Sequence, residues 1–160
     1  MVLVWGMNTS KFRVVAVPTE VAEAARKAAS EGRSDHRVVV VEDANSAPCR
    51  HCLRWAVPGE RVILFPYNAI EPGRPYSETG PIFVHADQCE RYQEPRYPSE
   101  FREGRAFRAY NLDQDIIDAI LPNGEPPEAV IEKLFENPDT AFVHARSVTR
   151  GCFTFQIERL

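Results

Sequence analysis

The 160-residue chain has no apolar run approaching the roughly 20 residues that cross a bilayer, so no membrane helix is expected. No G-x-S-x-G, P-loop or G-x-G-x-x-G pattern occurs, which removes the commonest hydrolase and nucleotide-binding signatures. Lysine is confined to Lys11, Lys27 and Lys133, and the formal net charge is -4. A chain of this sign lacks the global field that draws nucleic acid or anionic lipid, so neither is an expected partner. Low-complexity tracts and linkers are missing too. One domain spanning 7–160 is therefore expected, large enough to bury its own core. Met1 to Gly6 is apolar, but it lacks a basic start and is too short for a signal-peptide core, so it reads as extra residues ahead of a start at Met7. The expected location is the cytoplasm, where thiols stay reduced and four cysteines do not build a disulfide framework.

What is present is a succession of strand signals with two helices between them. Phe12 to Val17 is β-branched and aromatic and stops at Pro18. Thr19 is placed to cap a helix in which Val21, Ala24, Ala25 and Ala28 form an apolar stripe. Arg37 to Val41 is a continuous apolar run, the pattern of a strand near a sheet centre. Further strands are expected at Arg61 to Tyr67, Ile82 to His85, Arg105 to Leu112, Asp115 to Leu121, Thr140 to Val148 and Cys152 to Arg159, with a short helical turn at Asp87 to Tyr92. Pro126 and Pro127 open a second helix carrying Val130, Ile131, Leu134 and Phe135. Strands joined by hairpins with two helices predict an α+β fold, with a mixed or mainly antiparallel sheet and the helices packed on it.

Chemistry concentrates on cysteine and histidine. Cys49-Arg50-His51-Cys52 spaces two thiols so that both reach one tetrahedral ion, and His85 with Cys89 supplies the complement. The predicted metal set is Cys49, Cys52, His85 and Cys89, with zinc as the candidate ion. His51, Tyr76, His144 and Cys152 are candidate ligand-pocket residues, with the Ile70 to Gly80 loop as rim. Two alternatives use the same residues differently. In one, the thiols serve an enzyme, as a redox pair or as a nucleophile tuned by His51 or His85. A thioredoxin-like arrangement is disfavoured, because Pro58 and Gly59 leave little more than one turn after the motif. In the other, the cysteines are simply small buried hydrophobes. A separate possibility is an RNA-binding module, in which the arginines and aromatics interleaved from Arg91 to Tyr110 grip phosphates and stack on bases, although interspersed glutamates offset their charge.

Pro48-Cys49-Arg50-His51-Cys52-Leu53, Pro58-Gly59-Glu60, Gly80-Pro81-Ile82-Phe83-Val84-His85 with Cys89 and Tyr92, and Gly151-Cys152-Phe153-Thr154-Phe155 together resemble the bacterial domain-of-unknown-function family numbered 1203. The resemblance runs from about Met7 to the end. It implies a stand-alone bacterial cytoplasmic domain and carries no activity, substrate or cofactor with it.

Overall fold

The structure is a computed structural model and describes residues 11–160. The expectation for Met1 to Gly6 lies outside the described residues. Two antiparallel sheets and two helices make an α+β fold. The strands are β1 (Phe12–Val15), β2 (Arg37–Val40), β3 (Arg61–Asn68), β4 (Thr79–His85), β5 (Arg105–Tyr110), β6 (Ile116–Ile120), β7 (Phe142–Ser147) and β8 (Phe153–Arg159). The helices are α1 (Thr19–Ser30) and α2 (Pro127–Phe135). One sheet has the order β1-β8-β7-β5-β6 and the other β2-β3-β4.

Each sheet receives its own helix. α2 lays Val130, Ile131 and Leu134 on the five-stranded sheet, where Phe107, Val143, Phe155 and Ile157 meet Tyr97 and Phe101 in the larger core. α1 packs on β3 and β4, and its buried residues are Ala22 and Ala25, flanked by Val21 and Ala29. The stripe is thus rotated from the expected one, and Ala24 faces solvent. Thr19 does not cap this helix. Pro18 holds the N-cap position, leaving the Thr19 hydroxyl free for the site described below.

Tight turns close the hairpins. At β5–β6 the Asn111 side chain accepts from the N–H groups of Asp113 and Asp115, while Gln114 takes a left-handed backbone. At β7–β8 Gly151 adopts φ +73°, a conformation that glycine reaches without strain. Within β3, Pro66 is tolerated because β2 pairs only with Arg61 to Leu64. The proline therefore costs no ladder hydrogen bond on that side.

Two expectations need correction here. The Arg37 to Val41 run is not central: β2 is the edge of its sheet, with Val38 and Val40 48% and 57% exposed. A run of consecutive valines has no period, so it does not tell an edge from a centre. Asp87 to Tyr92 is not helical but an irregular segment leading away from β4.

Most of the aromatic rings in the 91–110 stretch lie in the core. Tyr97, Phe101, Phe107 and Tyr110 are buried, and Arg105 lies over the Phe101 ring at 4.9 Å. Arg102 forms a two-pronged ion pair with Glu128. The rings needed to stack on bases are committed to the core. One of them gives a direct test: the Tyr97 hydroxyl donates to the Phe101 carbonyl at 2.6 Å inside this core. Tyr97→Phe is expected to cost about 1–2 kcal/mol, because a buried acceptor loses its donor. Urea unfolding should show a lower midpoint with an unchanged slope.

Candidate metal centre

Three separate stretches of chain build the site. The Cys49–Cys52 knuckle is a single turn closed by the Leu53 N–H on the Cys49 carbonyl, after which Leu53 enters a left-handed conformation at φ +55° and stops the turn. The knuckle is fastened on both sides. The Arg50 N–H bonds to Phe83 O on β4, and the Arg50 carbonyl accepts from Val17 N–H just ahead of α1. β4 delivers His85 as its final residue. The segment beyond β4 is held against the knuckle by the Tyr92 N–H on the His51 carbonyl, which brings Cys89 back to the same point.

There the ligand atoms of Cys49, Cys52, His85 and Cys89 all lie within 4.8 Å of one another. The Cys49 and Cys89 sulfurs are 3.9 Å apart, and Cys52 Sγ is 3.4 Å from His85 Nδ1. A tetrahedron with metal–sulfur and metal–nitrogen bonds of about 2.3 and 2.0 Å has edges of about 3.8 Å between sulfurs and about 3.5 Å from sulfur to nitrogen. Both distances are edge lengths of such a shell. All four cysteines are free thiols, so no disulfide competes for these sulfurs. The cluster could hold a metal ion.

The surroundings suit that use. The other nitrogen of His85, Nε2, sits 3.3 Å from Glu60 Oε1, the arrangement in which a carboxylate fixes the tautomer and orientation of a ligating imidazole. Glu60 is positioned in turn by accepting from the Val57 N–H, which is the first cause holding its carboxyl below the usual range. The His85 N–H donates to Cys49 Sγ at 3.3 Å. Arg26 on α1 donates through Nη2 to Cys89 Sγ at 3.5 Å and through Nε to His85 O at 3.0 Å. Three thiolates and a neutral imidazole around a divalent ion carry one net negative charge, and Arg26 supplies its counterpart.

Without an ion, Cys49, Cys52 and His85 share protons. Hydrogen bonds from Cys52, then Cys89, hold the Cys49 thiol far below its ordinary value, and the same bond with Cys49 pushes Cys52 far up. His85 is pushed up to about 10, chiefly by hydrogen bonding to Cys49. This is the electrostatic signature of a site that favours a cation.

The candidate pocket residues fall in different places. His51 belongs to the centre: its Nδ1 lies 3.1 Å from Cys89 Sγ and its Nε2 2.9 Å from Thr19 Oγ1. Burial lowers its pKa. His51, Cys52 and Cys89 line an open groove of about 810 Å³ together with the segment from Glu90 to Glu100. That segment, rather than the Ile70 to Gly80 loop, is the rim. Tyr76 is 44% exposed and does not border the groove.

His144 and Cys152 do not pair. His144 is fully buried on β7 among Tyr110, Phe142 and Phe153, with Nε2 on Gln156 Oε1. Its pKa is pulled down to about 3 by burial, so it is neutral. Cys152 precedes β8, and its sulfur faces the Arg150 carbonyl at 3.8 Å. His36 stacks on Phe65 with its side chain 10% exposed.

Glu60→Gln should weaken metal binding about 10- to 100-fold while leaving the fold intact, because it removes the group that orients His85 and not a ligand. Competition with a chromogenic chelator measures this directly. Arg26, Glu60 and Thr19 carry no motif of their own. The one signal that pointed near them was Pro58-Gly59-Glu60 among the family-like segments.

No curated protein and no solved structure matches the chain. Residues 46–159 match the model of the family described as Protein of unknown function (DUF1203), a span that contains all four family-like motifs and β3 to β8 but leaves β1, α1 and β2 outside. The chain belongs to the DUF1203 family.

Proposed function

We propose that the protein is a zinc-binding domain in which Cys49, Cys52, His85 and Cys89 hold one structural ion, in a cytoplasmic setting that keeps the thiols reduced. The observation that carries this reading is the convergence of three thiols and an imidazole from three chain segments within 4.8 Å of one another, two of the separations being tetrahedral edge lengths. Thiolates and imidazole in a tetrahedron favour zinc over oxygen-seeking cations. Four protein ligands close the shell, so the ion ties segments together and leaves no position for a substrate. The neighbouring groove is then where a small ligand would rest against the finished knuckle. Elemental analysis of the purified protein tests the reading. About one zinc per chain is expected, lost when Cys49 and Cys52 are changed to serine. A metal-free native protein that fails to take up added zinc would sink it.

A second reading has one specific observation in its favour. Cys89, His51 and Thr19 form a chain of contacts from thiol to imidazole to hydroxyl at the groove wall, the order of a nucleophile, a base and an orienting group. A thiol enzyme of this kind would alkylate rapidly with iodoacetamide at Cys89 near neutral pH in protein holding no metal. A zinc-bound Cys89 would be protected until the metal is stripped.

A further inference from the structure

A second cavity, of about 180 Å³, lies where the β3–β4 hairpin meets the β7–β8 turn, and none of its lining residues belongs to the metal centre. Arg146 forms its charged wall and is only 5% exposed, although a guanidinium is among the costliest groups to bury. Its Nη1 is taken by the Glu78 carboxylate and by the Gly151 carbonyl, the latter at 2.9 Å. Its Nε is buried and meets no acceptor among the described residues. A buried guanidinium N–H left unsatisfied on a residue that lines a cavity is a group that an oxygen from outside the chain would satisfy.

The charge balance points the same way. Arg150 also lines the cavity, and Arg108 Nη1 stands 3.9 Å from the same Glu78 oxygen. Two arginines therefore share one carboxylate and a third, Arg150, stands in the same lining, in a chain whose net charge is -4. Glu78 is the only acidic residue in the lining, and its side chain is 54% exposed at the end of the irregular segment before β4. Being half in solvent, it can swing aside. A carboxylate already resting on Arg146 shows which chemistry the fork accepts, since the paired N–H groups of arginine match two oxygens of a carboxylate or phosphate. The volume is below the roughly 300–1,000 Å³ of pockets for drug-sized ligands, so the occupant is small.

We propose that this cavity binds a small oxyanion on Arg146 and Arg150, with Glu78 as the internal carboxylate that the ligand displaces. Cys152 belongs to the same lining. The site is independent of the metal centre and survives if zinc binding fails.

The test is a backbone amide NMR titration of the full chain as purified, with acetate and inorganic phosphate added separately against chloride at constant ionic strength. Saturable shifts are expected at the amides of Gly80, Gly151 and Cys152, and the tighter of the two anions identifies the head group. Arg150→Ala should weaken binding at least about fivefold by removing an exposed cation whose loss leaves the core intact. Glu78→Gln should tighten it severalfold by withdrawing the competitor. Shifts that grow linearly without saturating, or that centre elsewhere, overturn the proposal. So does saturable binding that neither variant alters.

Discussion

Stripping the metal from the purified protein is expected to lower its thermal midpoint by about 10 °C or more without unfolding the chain at room temperature. The ion would join the knuckle, the end of β4 and the segment carrying Cys89, each otherwise held by a few backbone hydrogen bonds. Structural zinc supplies folding free energy outright. In a chain of this size each kcal/mol shifts the midpoint by roughly 2–4 °C, so the expected change corresponds to a few kcal/mol. Complete unfolding is not expected, because the larger core around Phe107, Phe155 and α2 contains no residue of the cluster. The loss should concentrate in the smaller core where Cys49 and Cys52 pack with Ile63, Ile82 and Val84. Hydrogen exchange would locate it there.

The same experiment has a pH arm with a definite sign. In the metal-free protein His85 titrates near 10 instead of 6.5, because the neighbouring thiols favour its protonated form. Its stabilising contribution is therefore complete below 6.5 and disappears as pH rises through about 10. The metal-loaded protein holds His85 neutral as a ligand and should lack this decline, losing its ion instead on acidification, as protons compete for the thiolates. Parallel pH–stability curves for the two forms that coincide from pH 7 to 10 would contradict the assignment of His85 to the centre.

The four residues of the cluster were legible because cysteine and histidine are rare and their local spacings, C-x2-C and H-x3-C, are themselves geometric statements. His85 and Cys89 are brought together by a strand end and a tethered irregular segment, not by a helical turn. Fold class and both helices followed from periodicity, since α2 keeps a clean apolar stripe and Pro126 and Pro127 mark its start. The division into two sheets did not follow, because hairpin signals are local while the choice of neighbouring strand is made by long-range packing. Arg26 and Glu60 were invisible as site residues for the same reason. Nothing about an arginine on an exposed-looking helix or a glutamate in a turn announces that tertiary contact will set it against a thiolate or an imidazole.

Arg50 is the residue whose substitution should cost most outside the ligands, about 3–5 kcal/mol for Arg50→Met. It is 4% exposed and carries no carboxylate partner among the described residues; its guanidinium instead donates to two backbone carbonyls, Phe153 O at 2.8 Å and Pro48 O at 2.7 Å. Burial draws its pKa down to about 10, which leaves it charged at neutral pH. Removing it strands two buried acceptors, each worth roughly 1–3 kcal/mol, and empties the space its stem fills. Because one carbonyl, of Pro48, leads into the knuckle and the other belongs to β8, the fork fastens the candidate metal centre to the five-stranded sheet. Arg50→Lys keeps the charge but offers a single ammonium in place of a fork, and should recover only about half of the loss. Both variants should release zinc faster to a chelator even though Arg50 touches no ligand atom, because the turn that holds Cys49 and Cys52 at the right separation loses its anchor. Equal stability and equal zinc release in Arg50→Met and the parent protein would show that the knuckle keeps its shape unaided.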